Sequence, residues 1–333
     1  MIAEVGMNHD GSVGTAHAFI DAIADTGADC VKFQARIATA ESTFDEPFRV
    51  RMSSQDKTRF DYWRRMEFAQ KQWSELMAHA RDKGLVFLCS VFSPEAAHMM
   101  AQIGMSGFKI GSGEFNFPEL LSSVSEHRKP VLLSTGMSKM SEIESQVSLL
   151  RDAKCDFGLF QCTSAYPARL EDVGLNVIPK LRERFSCPAG LSDHSGTVYP
   201  TLAAMAQGAN MIEVHVSFHK RAFGPDVSSS VTIDELSQLC LARDAFFTMS
   251  NSLVDKDSMS EKLSPMRSLF RRSLATTSHL KAGSILTADD LRFARPGTGI
   301  PAGEKQSLIG RTLARDVDPL RLLQYDDLEG VPK

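Results

Sequence analysis

The sequence predicts a (β/α)8 barrel, a TIM barrel, followed by a small β-rich domain. Three observations carry that prediction. Eight short apolar runs, each trailed by a stretch with helical spacing, fall within the first 250 or so residues, which is the arithmetic of such a barrel. The phosphate fingerprint of the competing doubly wound sheet, GxGxxG after a first strand, is absent; GSGEFN at 111–116 follows the fourth run and lacks the third glycine. Beyond about Asn251 the alternation stops and the texture changes.

The strand candidates are 2–5, 30–34, 85–89, 107–110, 130–135, 157–162, 188–192 and 211–216. Each is short and apolar, as parallel strands buried on both faces must be. Between them, residues 12–26 place Val13, Ala16, Phe19, Ile20 and Ile23 on one helical face, and Gly27 stands where a helix C-cap belongs. Residues 70–83, 94–103, 117–127, 141–153, 175–184, 198–207 and 233–249 read as the other helices. Pro94 and Pro118 lie near helix starts, where a missing N–H costs nothing. These elements define a barrel domain over residues 1–250. A polar stretch over 251–266 reads as a linker, and 267–330, with short alternating runs and turn signals at Gly283 and Pro296-Gly297, as the second domain.

Composition bounds the function. Hydrophobic residues make up 43% and charged residues 23%, and the formal net charge is −4, so a disordered chain and a dedicated nucleic-acid binder are both excluded. No apolar run approaches the ~20 residues that span a bilayer. The N-terminus has no basic segment followed by an apolar one, so no signal peptide and a cytoplasmic location are expected. The six cysteines lack CxxC spacing and read as buried, reduced thiols.

In this fold the chemistry sits where strands end. Glu4, Asn8 and His9 close the first run, Lys32 and Gln34 the second, and Ser90 the third. Lys109, Ser112 and Glu114 follow the fourth, and Ser134 and Thr135 the fifth. Gln161, Thr163 and Tyr166 close the sixth, Ser192, Asp193 and His194 the seventh, and Glu213 and His215 lie on the eighth. An unpaired buried charge costs several kcal/mol, so a rim carrying this many needs a purpose. His194 and His215, on neighbouring strands, are candidate ligands of an open catalytic metal site, with Mn2+ favoured by oxygen-rich completion and Mg2+ or Co2+ as substitutes. The competing reading is that each imidazole satisfies a neighbour in the core. Lys32 and Lys109, with Ser112, Ser134 and Ser192, suit a phosphate dianion; alternatively one lysine forms a Schiff base, as aldolases on this fold do.

The motifs IAEVGMNHDGS, GADCVKFQ, FKIGSGEFNFPELL, LLSTGMS, QCTSAYPA, GLSDHS, Glu213-x-His215 and GPD at 224–226 resemble the sialic acid synthase family, and KAGSILTADDL with RFARPGTGI is similar to the antifreeze-protein-like domain that ends those enzymes. The resemblance implies condensation of phosphoenolpyruvate with the open-chain aldehyde of an N-acyl-mannosamine-type sugar, giving a nine-carbon 2-keto acid and phosphate by C–O cleavage. It implies that Lys32, Lys109, Ser112, Ser134 and Ser192 grip phosphoenolpyruvate, with Ser90 in place of a threonine nearby. It further implies that His194 and His215 hold Mn2+, that Gln34, Tyr166 and Asp226 contact the amino-sugar, and that Glu4, Glu114 and Glu213 surround the reacting carbons. Arg295 matches an arginine that reaches the partner protomer's site in a domain-swapped homodimer. Met7, Ser164 and Val214 depart from the family pattern. N-acetylmannosamine, its 6-phosphate and a diacetamido-trideoxyhexose all remain as acceptors, the acidic balance favouring an unphosphorylated one. A Schiff-base aldolase and an inactive sugar-binding homologue are the alternatives.

Overall fold

The computed structural model describes residues 1–51 and 55–330. Eight parallel strands close a barrel: β1 (Ile2–Gly6), β2 (Cys30–Ala35), β3 (Val86–Val91), β4 (Phe108–Ile110), β5 (Val131–Ser134), β6 (Phe157–Cys162), β7 (Ala189–Asp193) and β8 (Met211–Ser217). Each pairs with the next and β1 also pairs with β8. The eight predicted runs all appear as strands. A ninth, β9 (Ser230–Thr232), extends the sheet beyond β8, with Ser230 in register with His215.

The interior is layered because side chains alternate along a strand. The first inward positions are apolar: Ile2, Cys30, Leu88 and Phe160 form a buried cluster with Leu132 and Met211 packed on it. The next inward positions are Glu4, Lys32, Ser90, Ser134 and Glu213, all buried. An apolar floor thus carries a polar storey. The floor is tight at β7, where a Cβ on Gly190 would lie 1.9 Å from the Met211 carbonyl oxygen, so only glycine fits. Outward positions such as Val31, Phe33 and Phe87 pack under the helices with Phe19 and Trp73.

The predicted helices appear over Val13–Ala24, Gln70–Asp82, Pro94–Gln102, Pro118–Glu126, Met140–Asp152, Val177–Phe185, Tyr199–Ala206 and Ile233–Asn251. Ser12 caps the first by accepting from the Thr15 N–H. Between β2 and Gln70 lies an excursion outside the predicted elements; it contains the short helices Ala38–Glu41 and Arg59–Met66, the latter closed by a Thr58–Asp61 capping box.

The chain divides into two compact units, Met1–Asn251 and Ser252–Lys333. In the second, the stretch read as a linker, 251–266, holds the short helix Lys256–Lys262 and the start of another, Ser264–Phe270. Antiparallel β10 (Ser273–Thr276) and β11 (Leu291–Ala294) follow, over a small core that includes Leu274, Ile300, Leu313 and Leu323. Buried Asp327 is paired with Arg315 and Arg321. Among the described residues no helix is long and apolar enough to cross a membrane, and all six cysteines are buried and unpaired.

Candidate active site

The polar storey is a compensated charge cluster. The Lys32 ammonium is ion-paired with Glu4, lies 3.6 Å from Glu213 Oε1, and donates to Ser90 Oγ at 2.9 Å. Lys109 lies 3.5 Å from the same Glu213 oxygen and donates to Ser134 Oγ at 2.6 Å. Ser192 also donates to that oxygen, at 3.1 Å. Burial pushes the Glu213 carboxyl up, but Lys109 and Lys32 outweigh it and hold the group down at about 2. The two lysines differ. Burial lowers both, yet Glu213 and Glu4 together turn the Lys32 shift upward, whereas Lys109, with Glu213 as its nearer counter-charge and Lys32 opposing, stays below its ordinary value. Beside them the Gly136 N–H donates to Ser112 Oγ at 3.1 Å. Two ammonium groups, four hydroxyls and turn N–H groups at one rim can bind a phosphate and a carboxylate.

The histidine pair stands above this cluster. The His194 and His215 rings have centroids 5.4 Å apart. His194 Nδ1 faces the Thr163 carbonyl at 3.0 Å, which makes Nδ1 the donor and leaves Nε2, 3.3 Å from the Tyr166 hydroxyl, with its lone pair. Burial, with His215 adding to it, pulls His194 down to about 3, so the ring is neutral. Among the described residues Nδ1 of buried His215 has no hydrogen-bond partner. One neutral ring of fixed tautomer beside one orphaned nitrogen fits a metal site. Among the described residues no group of three or more His, Cys, Asp or Glu converges to complete it, so the protein would supply two nitrogens and leave the other positions open.

A single cavity is lined by Glu4, Lys32, Gln34, Ser90, Lys109, Ser112, Glu114, Ser134, Tyr166, Ser192, His194, Glu213 and His215. The structure thus brings together thirteen of the fifteen predicted site residues. Asp226 lies in an adjoining chamber of about 200 Å3, paired with Arg49 at 2.7 Å. Arg295 belongs to the C-terminal unit, beside Phe270. Six other strand-end residues do not line the cavity. Gln161 donates to the Val173 carbonyl, Thr135 to the Phe160 carbonyl, Thr163 to the Asp172 carbonyl and Asn8 to the Val216 carbonyl, while Asp193 accepts from Ser195 and Thr201 and His9 from the Gly11 N–H. For Gln161 and Asp193 alternation is the reason, because Cys162 and Ser192 take the inward positions beside them.

Sequence reasoning missed Arg36. Its guanidinium is clamped between the Trp63 and Phe92 rings at 3.7 and 3.6 Å, pairs with Glu41 at 2.8 Å, and donates to Gln34 Oε1 at 3.2 Å. Gln34 in turn donates to Glu4 at 3.0 Å. The signal was present: Lys32, Gln34 and Arg36 are spaced by two and share one face. Arg36 lines both the cavity and the chamber.

Comparison with known proteins agrees with this architecture. The NeuB family matches residues 19–253 and the SAF domain residues 271–329. The chain is 31% identical to the N,N'-diacetyllegionaminic acid synthase of Campylobacter jejuni over 95% of this chain and 96% of that one. It is 29% identical to the human N-acetylneuraminate-9-phosphate synthase over 96% and 89%. The crystal structure of an N-acetylneuraminic acid synthetase from Leptospira borgpetersenii superposes with a TM-score of 0.70 at 30% identity, covering 80% of this chain and 91% of that one. With barrel and C-terminal domain both matched, and relatives alike along nearly their whole length, this chain belongs to the NeuB family, the sialic acid synthase family of sugar-acid-forming enzymes.

Proposed function

We propose that the protein condenses phosphoenolpyruvate with the open-chain form of an N-acyl-mannosamine-type sugar, yielding a nine-carbon 2-keto acid and inorganic phosphate. The observation that carries this reading is the lysine pair, each ammonium seated on a serine hydroxyl and sharing Glu213, directly below two imidazoles. Lys32 and Lys109, with Ser112, Ser134 and Ser192, hold the phosphate and carboxylate, orienting C3 of the enol toward the aldehyde carbon. His194 and His215 would hold a divalent cation, Mn2+ by preference with Mg2+ or Co2+ as substitutes, and such an ion supplies Lewis-acid polarisation of an aldehyde.

Attack of C3 on the aldehyde carbon forms the new C–C bond and breaks the C=O π bond. The alkoxide so formed becomes a hydroxyl by taking up the proton released when water adds, and C2 is left electron-deficient. Glu4 and Glu213, the two carboxylates that flank Lys32, stabilise that centre. Water adds at C2, losing a proton to a carboxylate, for which the unpartnered oxygen of Glu213 is the candidate. The resulting tetrahedral adduct expels phosphate with C–O cleavage and becomes the ketone. Gln34 and Tyr166, which line both the cavity and the chamber, and Asp226 in the chamber contact the sugar.

A homodimer is part of this proposal. The last turns of the helix Ile233–Asn251 expose Phe247 and Met249, and the C-terminal unit separately exposes Met266, Leu269 and Phe270, apolar surface that a second copy would cover. Phosphate release from phosphoenolpyruvate that requires both an N-acyl-mannosamine-type sugar and Mn2+, and that EDTA abolishes, is the expected result. Borohydride trapping of a lysine adduct with EDTA-insensitive turnover would replace the proposal with a Schiff-base aldolase.

A further inference from the structure

The chamber beyond Arg36 opens from the catalytic cavity and shares Gln34, Arg36, Arg49, Tyr166 and His215 with it. Given the proposed condensation, on which this inference rests, the aldehyde end of the acceptor lies near the histidine pair. Its distal carbons then extend away from the lysines into this chamber.

Four arginines line the chamber, a number that first suggests an anionic guest. Every one of them is already matched. Arg36 pairs with Glu41 at 2.8 Å, Arg49 with Asp226 at 2.7 Å, and Arg59 with Glu46 at 3.3 Å. Arg65 pairs with both Asp56 at 2.8 Å and Asp10 at 2.7 Å. Five carboxylates therefore face four guanidiniums, and among the described residues that line the chamber no positive charge is left over. Burial lowers Arg59, Glu46 opposes that shift, and the positive charges of Arg36 and Arg49 add to it. Glu46 also accepts from the Trp63 indole N–H at 2.9 Å, so its carboxylate is fixed. Besides the arginines and their wall partners Asp56 and Asp226, the wall includes Phe48, Trp63 and Phe223, together with Tyr62, whose buried hydroxyl has no partner among the described residues. Aromatic faces and one unpartnered hydroxyl suit an acyl methyl and its amide; a phosphomonoester would meet Asp56 and Asp226 in the wall itself and the carboxylates of Glu41, Glu46 and Asp10 paired with the arginines.

We propose that the acceptor is uncharged at its distal end, and that Glu46, by cancelling Arg59, is a specificity-determining residue that selects against a phosphorylated acceptor. Selection of this kind works by repulsion as much as by fit.

The test uses the full-length protein with phosphoenolpyruvate and Mn2+ at pH 8, reading phosphate release with N-acetylmannosamine, its 6-phosphate and 2,4-diacetamido-2,4,6-trideoxymannose. The expected result is a kcat/KM for at least one uncharged acceptor at least about tenfold above that of the 6-phosphate. Preference for the 6-phosphate overturns the charge argument and leaves the condensation standing, whereas no turnover with any of the three overturns both. Glu46→Gln, which keeps an acceptor for Trp63, should move the ratio about tenfold toward the 6-phosphate. Glu46→Asp, which keeps the charge, should not; equal shifts in both variants, or none in Glu46→Gln, remove Glu46 from the role.

Discussion

Replacing Glu213 with Gln should weaken the fold and tighten phosphoenolpyruvate binding at the same time. The carboxylate oxygen lies 3.6 Å from Lys32 and 3.5 Å from Lys109. At an effective dielectric of about 20 each contact is worth roughly 4–5 kcal/mol before desolvation is counted. The amide has the same shape and still accepts from Ser192, so the change is one of charge. Removing one partner of a buried pair costs about 3–5 kcal/mol, or about 6–20 °C in the melting temperature of a unit this large. The freed lysines then meet the anionic substrate without a competing carboxylate. Recovery of only about 1.4 kcal/mol, a third of one contact, makes binding tenfold tighter. Turnover should fall by about 10²–10⁴ if the other, unpartnered oxygen of this carboxylate takes the proton from water. Calorimetric titration with phosphoenolpyruvate, without acceptor, reads the affinity, and scanning calorimetry reads the stability. Unchanged or weaker binding in a folded variant would refute the idea that Glu213 restrains the lysines.

The same geometry sets three further outcomes. Gly136→Ala would bring a Cβ to 2.6 Å from both Cys162 Sγ and Ser164 Oγ and to 3.0 Å from Ser112 Oγ; steady-state kinetics should show KM for phosphoenolpyruvate up about tenfold or more, with acceptor KM little changed. His215→Ala should lower Mn2+ affinity, measured by calorimetry, and Mn2+-dependent turnover by more than about a hundredfold while phosphoenolpyruvate still binds. Burial pushes Glu41 from 4.5 up to about 7 against the pull of Arg36, so its contribution to stability is present below about pH 4 and is lost as pH rises through 7. That loss amounts to about 3 kcal/mol, and Glu41→Gln should lack it when denaturant midpoints are compared between pH 4 and pH 8.

The barrel was legible because its strands are buried on both faces and therefore read as apolar runs, and the site was legible because charged residues interrupt those runs near their ends. Lys32, Lys109, Glu213 and His215 announce themselves in this way. What alternation alone does not reveal is which of two neighbours turns inward, and Gln161 is misassigned on that account. The three residues of β9 are too few for a periodic signal. The Arg59–Met66 helix buries only Trp63 and Met66, so its charged sequence carries no apolar stripe to find. The chamber it walls, with Arg36, Arg49 and Arg59, depends on pairings across the excursion after β2 that no spacing encodes. Arg36 is the exception, since it continues the inward face of Lys32 and Gln34.

The shared wall between cavity and chamber has a use in inhibitor chemistry. One molecule with a phosphonate head, a short carbon spacer and an acylated polyol tail could bridge the ammonium cradle and the aromatic pocket. Its two ends would need opposite electrostatic character, which distinguishes it from ligands built for phosphate-gripping barrels with an anion site at each extremity.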